Sequence, residues 1–218
     1  MTPPDRTRAL AAARDRVTEP EVRRARTRYG LRAGLTALYP GGPDAAARLP
    51  FLLAAADRTA ALLPGFRLLV TGDGPLRAAV GGHGPHVVCA GGVGEAGDGL
   101  AGPVREDRAL LGAVAEVLLA PGAVGGLAAE SFALRTPLVV TDRTGHGPGF
   151  GCLEDGRNVV VAPDDPAAYG SAVAELLTRP RKLACLRRAC RAAAQRYTVE
   201  GRTARTAHGV EDLVHGIP

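Results

Sequence analysis

Glu130 stands in the stretch PGAVGGLAAES, Pro121 to Ser131, between the apolar run VLLA and the segment FALRTPLVV. Its glycines, Gly122, Gly125 and Gly126, mark a bend between a strand and a helix, with Val124 inside the bend and Leu127 opening the helix. The first turn of a helix presents N–H groups that lack intrahelical partners, at the positive end of the helix dipole. Such a bend suits an anion. Glu130 then lies about one turn into the helix, and the rest of the chain has to decide between a ligand site and a tight corner.

Other residues of chemical interest form less complete sets. Lys182 is the single lysine, which excludes most lysine chemistry. His83 and His86 in GGHGPH are close enough in sequence to share a metal, but no neighbouring carboxylate or thiol completes the set, so a plain loop is expected. His146 in TGHGPGF follows a strand and could donate a hydrogen bond there, whereas His208 and His215 belong to the tail. GDGPLR has Arg77 where the third glycine of a dinucleotide fingerprint belongs. GAVGGLAAE lacks the G-K-[ST] ending of a P-loop, and Ser131 lacks the flanking glycines of a nucleophile elbow. Nicotinamide chemistry, ATP hydrolysis and serine hydrolysis all lose support.

The elements that must carry these residues are legible from hydrophobic period. LTALY, FRLLVT, HVVCA, EVLLA, PLVVT and NVVVA are short apolar runs of the kind buried on both faces of a sheet. Between them lie helical segments near ARLPFLLAAADRTAALLP, EDRALLGAV, GLAAESFALR and PAAYGSAVAELLT. Alternating strands and helices predict an α/β fold, a single Rossmann-like domain with a parallel sheet covered by helices on both faces. Residues 1–34 read as a charged helical segment, a solvated arm or leading helices with Gly30 as a stop. Residues 35–198 read as the sheet domain and 199–218 as a C-terminal helix and tail. In such sheets ligands bind beyond the carboxyl ends of the strands. The loops there, after Tyr39, Thr71, Ala90, Ala120 and Thr141, are rich in glycine, which permits close backbone approach.

At 218 residues and 46% hydrophobic the chain can bury a full core. Its net charge of +5 rests on arginine, but 4% aromatic content leaves little for stacking bases, so no nucleic-acid partner is expected. High Ala, Arg and Gly also fit a GC-rich coding sequence. Cys89, Cys152, Cys185 and Cys190 show no C-x-x-C spacing and read as reduced thiols in a cytoplasmic protein. No run approaches the roughly 20 apolar residues of a membrane span. The arginine-rich arm leaves a weak membrane-surface association open.

The ordered series LYPGGPDAAARLPFLLAAADRTAALLPGFRLLVTGDGP, VLLAPGAVGGLAAESFALRTPLVVTD, GHGPGF, LEDGRNVVVAP and AAYGSAVAELL resembles the C-terminal, nucleotide-sugar-binding half of a GT-B glycosyltransferase, in particular retaining glycosyltransferase family 4. The likeness runs from about Tyr39 to about Tyr197. It implies a Rossmann-like domain that binds the nucleotide and diphosphate of a nucleoside-diphosphate sugar, with no cofactor and no metal. It also implies a contact set of Gly41, Gly42, Arg48, Gly72, Asp73, Gly74, Gly92, Gly122, Val124, Gly125, Gly126, Leu127, Glu130 and His146. In that family's E-x7-E motif the second glutamate meets the donor's ribose hydroxyls, and Glu130 matches it. The first glutamate falls on Gly122. Gly125 and Gly126 match the turn whose backbone faces the diphosphate. The family's G-R...K element places its arginine on Gly42 and its lysine on Ala47. Arg48 is adjacent, although neighbouring helical residues point about 100° apart.

Those departures and the absence of the family's acceptor half shape the expectation. The leading reading is the donor-binding half of a glycosyltransferase that works with a separate N-terminal half. The alternative is a non-catalytic nucleotide-sugar-binding or scaffold subunit. A nucleic-acid-binding protein driven by the arginine arm is a distant third.

Overall fold

The strands of the sheet are short, mostly apolar runs whose side chains alternate between two cores. In a computed structural model, which describes residues 3–41, 45–71, 80–90 and 103–196, the six strands are β1 (Thr36–Tyr39), β2 (Arg67–Val70), β3 (Val87–Cys89), β4 (Val117–Ala120), β5 (Leu138–Thr141) and β6 (Val159–Ala162). All pairings are parallel and the spatial order is β3-β2-β1-β4-β5-β6. Ala37, Tyr39, Leu68, Val70, Val117, Leu119 and Val139 point into one core, while Leu38, Leu69, Leu118, Ala120, Leu138 and Val140 point into the other. That period of two, with both faces apolar, is what a doubly covered parallel sheet requires. All six runs expected as strands form strands, within a residue or two at each end.

The helices among the described residues are α1 (Pro3–Arg16), α2 (Glu19–Tyr29), α3 (Ala45–Leu62), α4 (Pro103–Val114), α5 (Leu127–Leu134), α6 (Pro166–Leu177) and α7 (Pro180–Arg196). Several of their ends have a local cause. The Thr18 backbone N–H at the start of α2 donates to the Glu21 carboxylate at 2.7 Å. Gly30 ends α2 in the left-handed region, at φ +63, and so acts as the stop its position suggests. Asp165 caps α6 by accepting from the Ala168 N–H at 2.8 Å, with Pro166 in the first turn.

Within the first 34 residues the described helices α1 and α2 pack on the domain rather than forming a solvated arm. Leu10 and Ala13 of α1 are 5% and 4% exposed, and with Val22 and Ala25 of α2 they share the core that holds Ala109 and Leu111 of α4. Most of the charged residues of this segment face outward, while Arg14 and Arg26 are partly buried. The C-terminal helix and tail expected over residues 199–218 lie outside the described residues. None of the four cysteines is in a disulfide, and burial pushes the Cys190 thiol up to about 12. Among the described residues no helix is long and apolar enough to cross a membrane.

On the other face α3 and α6 pack in direct backbone contact. A Cβ on Gly170 of α6 would collide with the Ala55 carbonyl oxygen of α3. The Thr59 hydroxyl of α3 bonds the Ala55 carbonyl at 2.8 Å and lies 3.0 Å from the Gly170 carbonyl oxygen, so polar atoms also meet across this seam. Beside it, the fully buried Tyr169 donates its hydroxyl to the Val139 carbonyl of β5 at 2.6 Å and meets Phe51 edge to face. Gly170→Ala should therefore destabilise the protein. Alanine gains about 1 kcal/mol in helix propensity, but forcing the two helices apart costs about 1–3 kcal/mol. Urea unfolding should show a net loss, and a variant as stable as wild type would mean that α3 and α6 separate freely.

Candidate functional site

The strand order reverses between β1 and β4. The chain leaves β1 towards α3 on one face of the sheet and leaves β4 towards α5 on the other. A crevice opens where the two connections part, and this is the usual ligand position in open parallel sheets. Gly41 and Glu130 come from the two sides of that crevice.

One arginine joins them. Arg108 of α4 donates to the Glu130 carboxylate at 2.5 Å and to the Pro40 carbonyl oxygen at 3.2 Å, so it ties α5 to the residue before Gly41. The side chains are partly buried, 22% exposed for Arg108 and 27% for Glu130, and the Arg108 Nε is buried with no hydrogen-bond partner. The guanidinium holds a carboxylate in place at the mouth of the crevice and leaves its second oxygen for other donors.

The turn before Glu130 keeps its backbone accessible. Gly125 adopts φ +48, in the region glycine tolerates, and Gly126 is the residue before α5 at φ −76. A Cβ on either would meet nothing within 4 Å, so both backbones face open space. No side chain caps the first turn of α5. Val124 and Leu127 are buried in the core, which leaves only their backbone for a ligand. The turn is braced from beneath. The Gly125 N–H donates to the His146 carbonyl at 3.3 Å, and a Cβ on Gly149, in the 3₁₀ turn Pro148–Cys152, would collide with the Gly125 carbonyl oxygen.

His146 is 5% exposed, with Nε2 2.7 Å from the Thr141 carbonyl oxygen, Nδ1 3.1 Å from the Gly122 carbonyl oxygen, and its ring stacked on Phe150 at 4.5 Å. Only the doubly protonated ring donates to both carbonyls; the neutral ring donates to one. His146 thus buttresses the Pro121–Gly126 bend, with both nitrogens turned to the backbone. Arg48, at the start of α3, pairs with Asp164 beyond β6 and lies over the Phe51 ring at 4.2 Å. Asp164 in turn donates its N–H to Asp142 at 2.9 Å. Arg48 therefore belongs to the β6 side of the rim. Gly42, Gly72, Asp73, Gly74 and Gly92 lie outside the described residues.

Sequence reasoning missed Arg108, and a signal was present. Arg108 and Gly112 are four residues apart on one stripe of α4; Gly112 packs against Leu134 of α5 and Arg108 against Glu130, one turn earlier on both helices. A charge on an inward stripe demands an opposite partner. The expectation for His83 and His86 also needs correction, because Asp57, distant in sequence, supplies a carboxylate to both.

The match with the model of the family described as glycosyl transferases group 1 covers residues 35–179, well over half the chain, and the chain belongs to that family. No curated protein matches it in sequence. Among solved structures it is similar to a glycosyltransferase from Rickettsia africae, at 10% identity and a TM-score of 0.67, over 92% of this chain and 53% of that one. HepE of Anabaena in complex with UDP is 16% identical, with a TM-score of 0.65 over 90% of this chain and 54% of that one. Sucrose-phosphate synthase from Thermosynechococcus elongatus is 19% identical, with a TM-score of 0.61 over 88% and 49%. The chain spans about half the length of these structures, and the likeness shows a Rossmann-like fold.

If Arg108 and Glu130 hold each other, a double-mutant cycle of Arg108→Ala and Glu130→Ala should give a favourable coupling of about 0.5–1 kcal/mol. Denaturant unfolding of the four proteins measures it. Strict additivity would mean that the pair does not position the carboxylate.

Proposed function

We propose that this chain is the donor-binding domain of a retaining glycosyltransferase of family 4, and that it binds a nucleoside-diphosphate sugar in the crevice between β1 and β4. The observation that carries the reading is the Glu130 carboxylate, held by Arg108 beside an uncapped helix start with two open glycine backbones. HepE of Anabaena, a structural neighbour, is seen with UDP and with UDP-glucose, which makes a uridine nucleotide the first ligand to try.

Each part then has a task. Ribose hydroxyls donate to Glu130, while Arg108 keeps that carboxylate oriented. The diphosphate lies against the backbone of Gly125 and Gly126 and the positive end of α5, which opposes the charge that develops on the leaving group. In retaining transfer as the family resemblance implies it, the acceptor attacks on the face from which the diphosphate departs, without an enzyme nucleophile. Acceptor recognition falls to a second half. Gly122, Gly42 and Ala47, where the family pattern has glutamate, arginine and lysine, favour a second reading in which the domain binds the donor and does not turn it over.

Calorimetric titration tests the donor site. A hydrogen bond from a hydroxyl to a carboxylate contributes roughly 1.5–3 kcal/mol, so Glu130→Ala should weaken UDP binding about tenfold to a hundredfold. The melting temperature should fall by no more than about 2–4 °C, the loss of the Arg108 contact. Wild type should prefer UDP to its deoxyribose analogue, and the variant should not. Equal binding by Glu130→Ala, or no such preference in wild type, would remove the assignment. Transfer assays with and without a cognate N-terminal half separate the two readings: transfer restored by that half supports an enzyme, and tight donor binding without transfer in its presence supports the binding subunit.

Gly126 offers a cleaner steric test than Gly125, because φ −76 suits any residue whereas φ +48 strains a β-branched one. Gly126→Val should abolish UDP binding at a stability cost of about 1 kcal/mol from the poorer helix start. Circular dichroism and calorimetry on the same sample check both. Undiminished binding would place the diphosphate elsewhere.

A further inference from the structure

A second side-chain cluster lies at the opposite end of the sheet, before the amino ends of β2 and β3. His83 and His86 sit on the turn His83-Gly84-Pro85-His86 that leads into β3, and Asp57 reaches them from α3. The Asp57 Oδ1 lies 3.0 Å from His83 Nε2 and 2.8 Å from His86 Nε2. Both rings thus present the same nitrogen to a single oxygen, and the three donor atoms all lie within 4.8 Å of one another. The rings meet edge to face, with centroids 5.9 Å apart.

The backbone is shaped for this convergence. Gly84 stands at φ +144, where a Cβ would sit 3.1 Å from His86 Cε1, so the absence of a side chain lets the His86 ring fold back over the turn. The His86 carbonyl accepts from the Leu68 N–H of β2 at 2.8 Å, and the Gly84 carbonyl from the Val87 N–H at 3.2 Å. The turn is thereby fixed to the sheet. The two rings are largely covered and the carboxylate is half exposed, so an ion can enter from solvent without unfolding anything.

We infer that Asp57, His83 and His86 form a binding site for a divalent cation of the zinc type, which clips α3 to the edge strand β3, with solvent filling the remaining coordination. Two imidazole nitrogens and one carboxylate suit a borderline ion, whereas magnesium and calcium prefer all-oxygen sets. With metal–donor distances near 2.0–2.2 Å, donors around a tetrahedral ion stand about 3.3 Å apart. The observed separations from Asp57 need widen by only a few tenths of an ångström. Without the ion, the carboxylate oxygen accepts from both Nε2–H groups and keeps the site assembled. Because it lies away from the strands' carboxyl rim, the site is independent of the donor crevice.

The full chain, freed of metal with EDTA, should bind one equivalent of zinc chloride by calorimetry, and zinc should raise its melting temperature reversibly. His83→Asn and His86→Asn should each weaken zinc at least about tenfold, since even outer partners of metal ligands contribute tenfold to a hundredfold. Their far-ultraviolet circular dichroism without zinc should match wild type. Cobalt(II) gives a readout that needs no variant: tetrahedral d–d bands without thiolate charge transfer are expected. The absence of zinc binding, unchanged zinc affinity in both folded histidine variants, or a thiolate charge-transfer band that places the ion on cysteine would each overturn the site.

Discussion

The adjacency of β1 and β4 governs the rest of the molecule. These strands are separated by two other strands in sequence, yet Ala37 and Leu38 pair with Val117 and Leu118 at the centre of the sheet. Once they are neighbours, a parallel sheet covered on both faces sends α3 to one side and α5 to the other. The crevice is therefore a product of topology, not of any particular loop. What the loops contribute is chemistry, and Arg108 and Glu130 meet beside the Pro40 backbone because β1 and β4 are neighbours.

Ion pairs at the two ends of β4 illustrate how arginine is used in a chain almost without lysine. At the amino end, Glu116 is nearly buried; it accepts from the Gly34 N–H at 2.9 Å and pairs with Arg187 of α7. At the carboxyl end, Arg108 reaches Glu130. Arg135 and Asp15, at 2.6 Å, join α1 to the end of α5. A planar fork with several donors can satisfy a carboxylate and a carbonyl together, as Arg108 does, which a lysine ammonium does less specifically. The number of arginines thus overstates the free cationic groups on the surface, since these guanidinium groups are committed to particular carboxylates, while the net charge is unchanged by the pairing.

The strands were legible because residues buried on both faces must be apolar without interruption, and VLLA and LVVT are short apolar runs bounded by turn residues. The helix carrying Glu130 was legible for a related reason: a glycine bend after a strand leaves few alternatives. Pairing between distant side chains was not. Arg108 could be noticed as a charge on the inward stripe of α4, but its partner Glu130 could not, and Asp57 with His83 and His86 has no local signature, because each contact joins elements brought together only by the sheet. The sequence left a solvated arm and leading helices both open for this segment, because charge outnumbers the few inward positions, Leu10, Ala13, Val22 and Ala25, that decide burial. His146 drew notice as a polar side chain on the rim, but its two carbonyl partners come from the Pro121–Gly126 bend and the end of β5.

The contact between Gly149 and Gly125 has a mechanical side. Two main chains touch there with no side chain between them, and Gly125 is further tied to the backbone at His146. Side chains are the compliant parts of a protein interior, since rotamer changes absorb small displacements, and this junction has none to yield. Load applied to the turn before α5 passes undamped into the segment after β5, and the two loops move as one stiff body. Any tuning of the crevice's width by drift in sequence must then come from β1's side, where the Gly41 backbone has more room.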